Sequence, residues 1–361
     1  KGVTLGMQDK PQEAIEVYND ILQRFGEDQA PALREIVAEA LFNKGVTLGM
    51  QDKPQEAIEV YNDVLQHFGE DQEPALREQV AKALFNKGVT LGMQDKPQEA
   101  IEVYNDVLQH FGEDQEPALR EQVAKALFNK GMTLGMQGKQ QEEIDAYNDI
   151  LQRFGEDQEP ALREAVARAL VNKGIALSEQ RKPEEEIAVY NEVVQRFGEA
   201  DEPALREQVA CALNTKGWIL NDQWKPAEAI AIFDDVIRRF SDDSKPTIRQ
   251  QVCDAYSYKS AAQVIQWRNS GDSVLLDAAL ESANKGVSLG SDHYNLACVL
   301  AVRGEVNEAF DELEGCLERG EIEWSHVDGD AAAGKKPDPD WDKLRKHPRY
   351  CDLKDRISKP V

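Results

Sequence analysis

The chain has 361 residues, a formal net charge of −25 and five cysteines. Such an acidic chain repels phosphate backbones, so broad nucleic-acid binding is not expected, while a basic partner is permitted. No run approaches the ~20 apolar residues of a membrane span, and no leader precedes Lys1, so the cytoplasm is the expected compartment and no membrane partner is expected.

From the amino end the same 43-residue unit is written six times, starting at Lys1, Lys44, Lys87, Lys130, Lys173 and Lys216. The second and third copies are identical throughout. A fixed period of this kind predicts a repeat stack in which each unit buries its apolar face against its neighbours. The expected organisation is six units over 1–258, the first truncated at its N-terminus, followed by a degenerate repeat, an ordinary hairpin and a cap over 259–361. Later copies place Lys-Gly inside a long helix, yet here the chain starts at that lysine without an initiator methionine. Upstream repeats, and with them an effector domain, are therefore expected in a longer protein.

One unit, from Glu73 to Gly112, reads as a helical hairpin. Pro74 suits a first helical turn, and Asp71 or Glu73 suits its amino end. Leu76, Val80, Ala83, Leu84 and Leu91 keep a 3.6-residue stripe as far as Gln94. Pro97 restarts a helix whose apolar face is Ala100, Ile101, Tyr104, Val107, Leu108 and Phe111, and Gly112 stops it. Gly88, mid-helix, needs a packing reason, and close approach of the paired helix at Ala100 is the expected one.

With these residues in view, Ala83 to Gly112, ALFNKGVTLGMQDKPQEAIEVYNDVLQHFG, resembles the tetratricopeptide repeat. Leu84 stands at the usual tryptophan position, Gly88 at the glycine, Ala100 at the second-helix alanine and Tyr104 at the aromatic. The family unit is about 34 residues, so about nine extra residues lengthen the first helix and its approach. The stretch Tyr294 to Leu317 returns to ordinary length, and the tail DPDWDKLRKHPRYCDL is similar to the segment closing many bacterial proteins of this type. The resemblance implies an all-α superhelical solenoid of antiparallel hairpins that binds a peptide or protein on its concave face.

The matching binding positions are Lys82, Phe85, Asn86, Val89, Gly92 and Met93, with copies one period away, among them Lys125. Asn43, Asn86, Asn129 and Asn172 form a row of amides, each able to donate to and accept from one peptide unit. Phe42, Phe85 and Phe128 would supply apolar pockets beside it. Two readings stay open: the asparagines hold a partner or bond a neighbouring helix, and the phenylalanines line a groove or belong to the core.

Other signals read as structural. The loops Glu70-Asp71-Gln72-Glu73 and Glu113-Asp114-Gln115-Glu116 lack the ligand order of a calcium loop and read as solvated helix caps. His67 and His110 fall where Arg24 and Arg153 occur and suit helix-end carbonyls. Trp218, Trp224, Trp267, Trp324 and Trp341 read as packing, and the cysteines, without CxxC spacing, as small buried hydrophobes. No catalytic motif, cofactor fingerprint or metal-ligand spacing occurs. The functional classes are thus an interaction scaffold or sensor, a spacer or self-assembling rod, and the regulatory arm of an enzyme lying upstream.

Overall fold

The structure, a computed structural model, describes residues 2, 4, 10–329 and 335–357. Among these residues there are seventeen α-helices and no β-strand. The expected truncated first helix at Lys1 falls largely outside the described residues. Two compact units are distinguished, 1–186 and 187–361.

In the first unit the helices alternate in length. The shorter ones are α1 (Pro11–Phe25), α3 (Pro54–Phe68), α5 (Pro97–Phe111) and α7 (Gln140–Phe154), and the longer are α2 (Pro31–Met50), α4 (Pro74–Met93), α6 (Pro117–Met136) and α8 (Pro160–Glu179). Proline opens most of them because the first helical N–H has no partner to lose. α2, α4 and α6 each pack against the short helix that follows, and α2, α4, α6 and α8 also pack side by side as a wall.

The turn inside each hairpin has one backbone solution. Lys53, Lys96 and Lys139 donate their N–H groups back to Leu48, Leu91 and Leu134, and Lys182 does the same to Leu177. This bond needs a left-handed residue just before it, and Asp52, Asp95, Gly138 and Arg181 occupy that position, with φ between +57° and +70°. In the second unit the same position is Trp224, at φ +59° and 67 % exposed. A large side chain there costs about 1 kcal/mol and packs against little. Trp224→Gly is expected to raise stability by about 1 kcal/mol, read as a higher denaturant midpoint with an unchanged slope.

Gly88 does meet the paired helix, and the nearest group there is the Tyr104 ring. A Cβ on Gly88 would lie 2.5 Å from Tyr104 Cε1, and the same clash recurs between Gly45 and Tyr61 and between Gly131 and Tyr147. The Cε1 edge of the ring packs on bare backbone, which is why the hairpin tolerates glycine in mid-helix.

The hairpins are closed at the far end by a contact that a linear reading does not show. Arg77 donates to both carboxylate oxygens of Asp114, at 2.8 and 2.7 Å, and its guanidinium lies 5.5 Å from the Phe111 ring centre. Arg34 with Asp71 and Phe68, and Arg120 with Asp157 and Phe154, repeat it. The acidic loops are thus ion-paired joints, while Glu73 makes no side-chain cap.

The second unit holds α9 (Pro183–Phe197, which spans the division), α10 (Pro203–Asp222), α11 (Pro226–Phe240) and a longer α12 (Pro246–Ser270). Then come α13 (Val274–Leu289), α14 (Tyr294–Arg303), α15 (Val306–Glu318), the short α16 (Trp324–Asp328) and α17 (Pro348–Ile357). Arg206, Asp243 and Phe240 repeat the joint once more. The tail closes an apolar cluster: Trp341 is fully buried, 5.7 Å from Phe310, with Tyr350 and Leu353 beside it.

Candidate functional site

The wall of long helices carries an apolar stripe at i, i+4 and i+8, since these positions share one helix face. On α4 it is Phe85, Val89 and Met93; on α6 it is Phe128, Met132 and Met136. Exposure rises along it. Phe128 is buried, Met132 is partly exposed, and Met50, Met93 and Met136 are 82, 84 and 87 % exposed at the helix ends.

At the start of the stripe a cavity of about 280 Å³ opens between α4, α6 and α8. Its floor is Phe85, Ala124, Phe128 and Ala165, and its rim includes Lys125, Asn129, Glu164 and Arg168. The Arg168 guanidinium lies 4.3 Å from the Phe128 ring centre, close enough for a cation–π contact. Lys125 is held by Glu121 of its own helix at 2.5 Å, as Lys82 is by Glu78. The rim is therefore charged but internally balanced, and the floor is where a ligand group would lose water.

Of the residues singled out by sequence, the cavity gathers Phe85, Lys125, Phe128 and Asn129. Phe42 lies half-buried 6.4 Å from Tyr61, as Phe85 lies 6.3 Å from Tyr104 and Phe128 5.8 Å from Tyr147. The phenylalanines thus serve the hairpin core and the cavity at once. Asn43, Asn86, Asn129 and Asn172 are all half-buried on the long helices. Asn86 and Asn172 donate to carbonyls of their own helices, Lys82 O at 3.0 Å and Arg168 O at 2.9 Å, and Asn129 lies near the Tyr104 hydroxyl. Burial raises that hydroxyl's pKa, so it stays protonated. Val89 and Met93 lie further along the stripe, outside the cavity lining.

Arg168 was missed, although it stands one period after Lys125 and two after Lys82. Two tryptophans also depart from expectation: Trp218 and Trp224 are exposed, because they occupy the stripe register and the left-handed turn instead of a core position. His67 and His110 face carbonyls one turn back, at 2.7 and 2.8 Å. Cys253, Cys298 and Cys316 are buried, Cys211 is partly so and Cys351 is exposed.

Among the described residues Cys298, Asp338 and Asp340 come close enough together to share an ion. Each is engaged already: Tyr294 donates to Asp338 at 2.7 Å, Cys298 lies 3.7 Å from the same carboxylate, and Arg268 pairs with Asp340. Burial, with Asp338 alongside, pushes the Asp340 carboxyl up to about 7. The cluster ties the tail to α12 and α14.

Glu143 breaks the repeat. It is 8 % exposed where Ala57 and Ala100 are fully buried, and accepts one bond from the Tyr147 hydroxyl at 3.3 Å. Burial, with Glu179 nearby, raises its pKa. The folded state then favours the protonated carboxyl, so the charged form costs stability above the raised pKa and the cost is relieved on acidification. Glu143→Ala is expected to stabilise by about 1 kcal/mol at pH 8, and by less as the pH falls toward 5, in matched denaturant titrations.

The tetratricopeptide repeat family model matches residues 39–70, the end of α2 and the whole of α3. The fold is similar to that of the apo form of RapI at 13 % identity, with a TM-score of 0.60 over 87 % of this chain and 84 % of that one. It is similar also to BtubC (BKLC) from P. vanneervenii, at 14 % identity and a TM-score of 0.51 over 66 % of this chain and 88 % of that one. At such identities the likeness is one of fold. No curated protein matches the sequence.

Proposed function

We propose that this tetratricopeptide-repeat protein is a non-catalytic interaction scaffold whose wall of long helices receives a peptide or protein segment. The tetratricopeptide hairpin is in general an interaction module, and no helix among the described residues is long and apolar enough to cross a membrane. The observation that carries the proposal is the cavity over Phe85 and Phe128, rimmed by Arg168 and Asn129 and continuous with an exposed apolar stripe. A segment with one apolar anchor fits it: the anchor fills the floor, and backbone groups meet the rim amides. On this reading residues 1–258 are the six repeats, residues 259–361 complete and cap them, and the protein works in the cytoplasm.

The test is affinity capture from native lysate with crosslinking, followed by titration of the captured partner. Crosslinks are expected at Lys82 and Lys125. Phe128→Ala with Arg168→Ala is expected to weaken binding by about 2 kcal/mol, and Asn86→Ala with Asn129→Ala by less, with helicity retained. Unchanged affinity in the first pair removes the cavity from the interface. Mass growing with concentration in light scattering, without a captured partner, would instead favour a self-assembling rod.

A further inference from the structure

The turn between α6 and α7 departs from its neighbours at three places at once. The preceding units read Met-Gln-Asp-Lys-Pro-Gln-Glu-Ala over 50–57 and 93–100, whereas 136–143 reads Met-Gln-Gly-Lys-Gln-Gln-Glu-Glu. Proline in a first helical turn narrows the freedom of the open chain, and glycine in place of aspartate widens it, so losing the one and gaining the other makes this hairpin easier to open. The third exchange puts a carboxyl where alanine stood. The next unit repeats that exchange at Glu186 but keeps its proline, Pro183.

The buried Glu143 side chain fills the hollow over Gly135. A Cβ on Gly135 would lie 2.5 to 2.8 Å from three atoms of the carboxyl group, whereas nothing lies within 4 Å of one on Gly49 or Gly92. From there contacts run without a break to the wall cavity. The Tyr147 hydroxyl, kept protonated by burial, donates to Glu143 Oε1 at 3.3 Å. The same ring packs on Gly131 and lies 5.8 Å from Phe128, over which Arg168 stacks at 4.3 Å. The surroundings offer little to an ionised carboxylate. α6 covers it with the backbone of Gly135, α8 brings Glu179, whose like charge opposes ionisation, and the Arg168 cation of α8 acts on Tyr147. A carboxylate so placed gains by reaching water, and the packing of α7 on α6 stands in its way.

We propose that Glu143 is a pH-sensitive latch on this hairpin: protonated, it packs between α6 and α7 and keeps the Tyr147 ring against Phe128; ionised, it draws in water, the first turns of α7 open and the cavity floor loses its support. The sign follows from burial, which raises the carboxyl's pKa in the closed hairpin above its value in the open one. The closed form is fully favoured in acid, below the ordinary carboxylate range, and loses ground as the pH rises through the raised value. The wall then offers its apolar floor best in acidic solution; that consequence for binding rests on the function proposed above, whereas the opening itself does not.

The experiment is hydrogen exchange of the whole chain, read by mass spectrometry from about pH 5.5 to about pH 8 and corrected for the intrinsic rate at each pH. Residues 85–104, one period earlier, are the internal reference for residues 128–147. Protection of 128–147 is expected to fall about threefold or more relative to the reference over that range. Glu143→Gln, of the same shape without the charge, and Glu143→Ala, which restores the residue of the preceding units, are each expected to abolish the difference. An equal pH dependence of the two segments overturns the proposal, and so does a difference that persists in either variant. No partner enters the measurement, so a failed capture from lysate counts against the binding wall and leaves the opening of the hairpin standing.

Discussion

Gly88→Leu is expected to lower stability by about 1 to 3 kcal/mol. The leucine Cβ alone would enter the Tyr104 ring, at 2.5, 2.9 and 3.0 Å from three of its carbons. The ring cannot retreat easily, because Tyr104 is itself buried between α4 and α5, with Phe85 on one side. Either the hairpin opens or the tyrosine leaves its rotamer, and both lose packing that neighbouring repeats share. Gly92, four residues on in the same helix, has nothing within 4 Å of a Cβ. Gly92→Leu is therefore the control: it should gain up to about 0.8 kcal/mol through helix propensity. The two variants are compared by urea midpoint and slope. Equal midpoints would show that the ring contact does not limit how closely the helices approach.

Asp114→Ala is expected to cost about 2 kcal/mol, because it strands a cation that has few other partners. Arg77 loses both charge-assisted bonds while its guanidinium stays against the Phe111 ring in a joint that is about four-fifths covered. The bonds to Asp114 raise the arginine's pKa, so it remains charged at any working pH. Arg77→Ala in the same background separates the pair from the ring contact: the double variant should lose less than the two singles added together. Additive losses in that cycle would mean that Asp114 acts on the loop alone and the joint is not a unit.

The period of 43 made the hairpins legible, because proline, stripe and glycine each fall at an element boundary set by local chemistry. Pro74 and Pro97 begin helices, and the long helix ends at Met93, within a residue of the reading. What escaped depends on distance across the fold. Arg77 and Asp114 are 37 residues apart and meet only once two antiparallel helices have closed, so no stripe or motif announces them. Tyr104 was recognised as core, but its orientation over Gly88 is a matter of rotamer and crossing geometry. The wall of long helices was legible as a register: Phe85, Lys125, Phe128 and Asn129 gather in one cavity. Their hydrogen bonds were not, since Asn86 and Asn172 satisfy an amide hydrogen within their own helix.

The joint has a consequence at the level of chain length. Residues 44–86 and 87–129 are the same words in the same order, and Arg34 meets Asp71 as Arg77 meets Asp114. Excising one such block leaves Arg34 facing an aspartate in identical context, and inserting another does the same. Number of turns is then something this architecture can gain or lose by whole modules, with no seam to repair and no interior residue to rewrite.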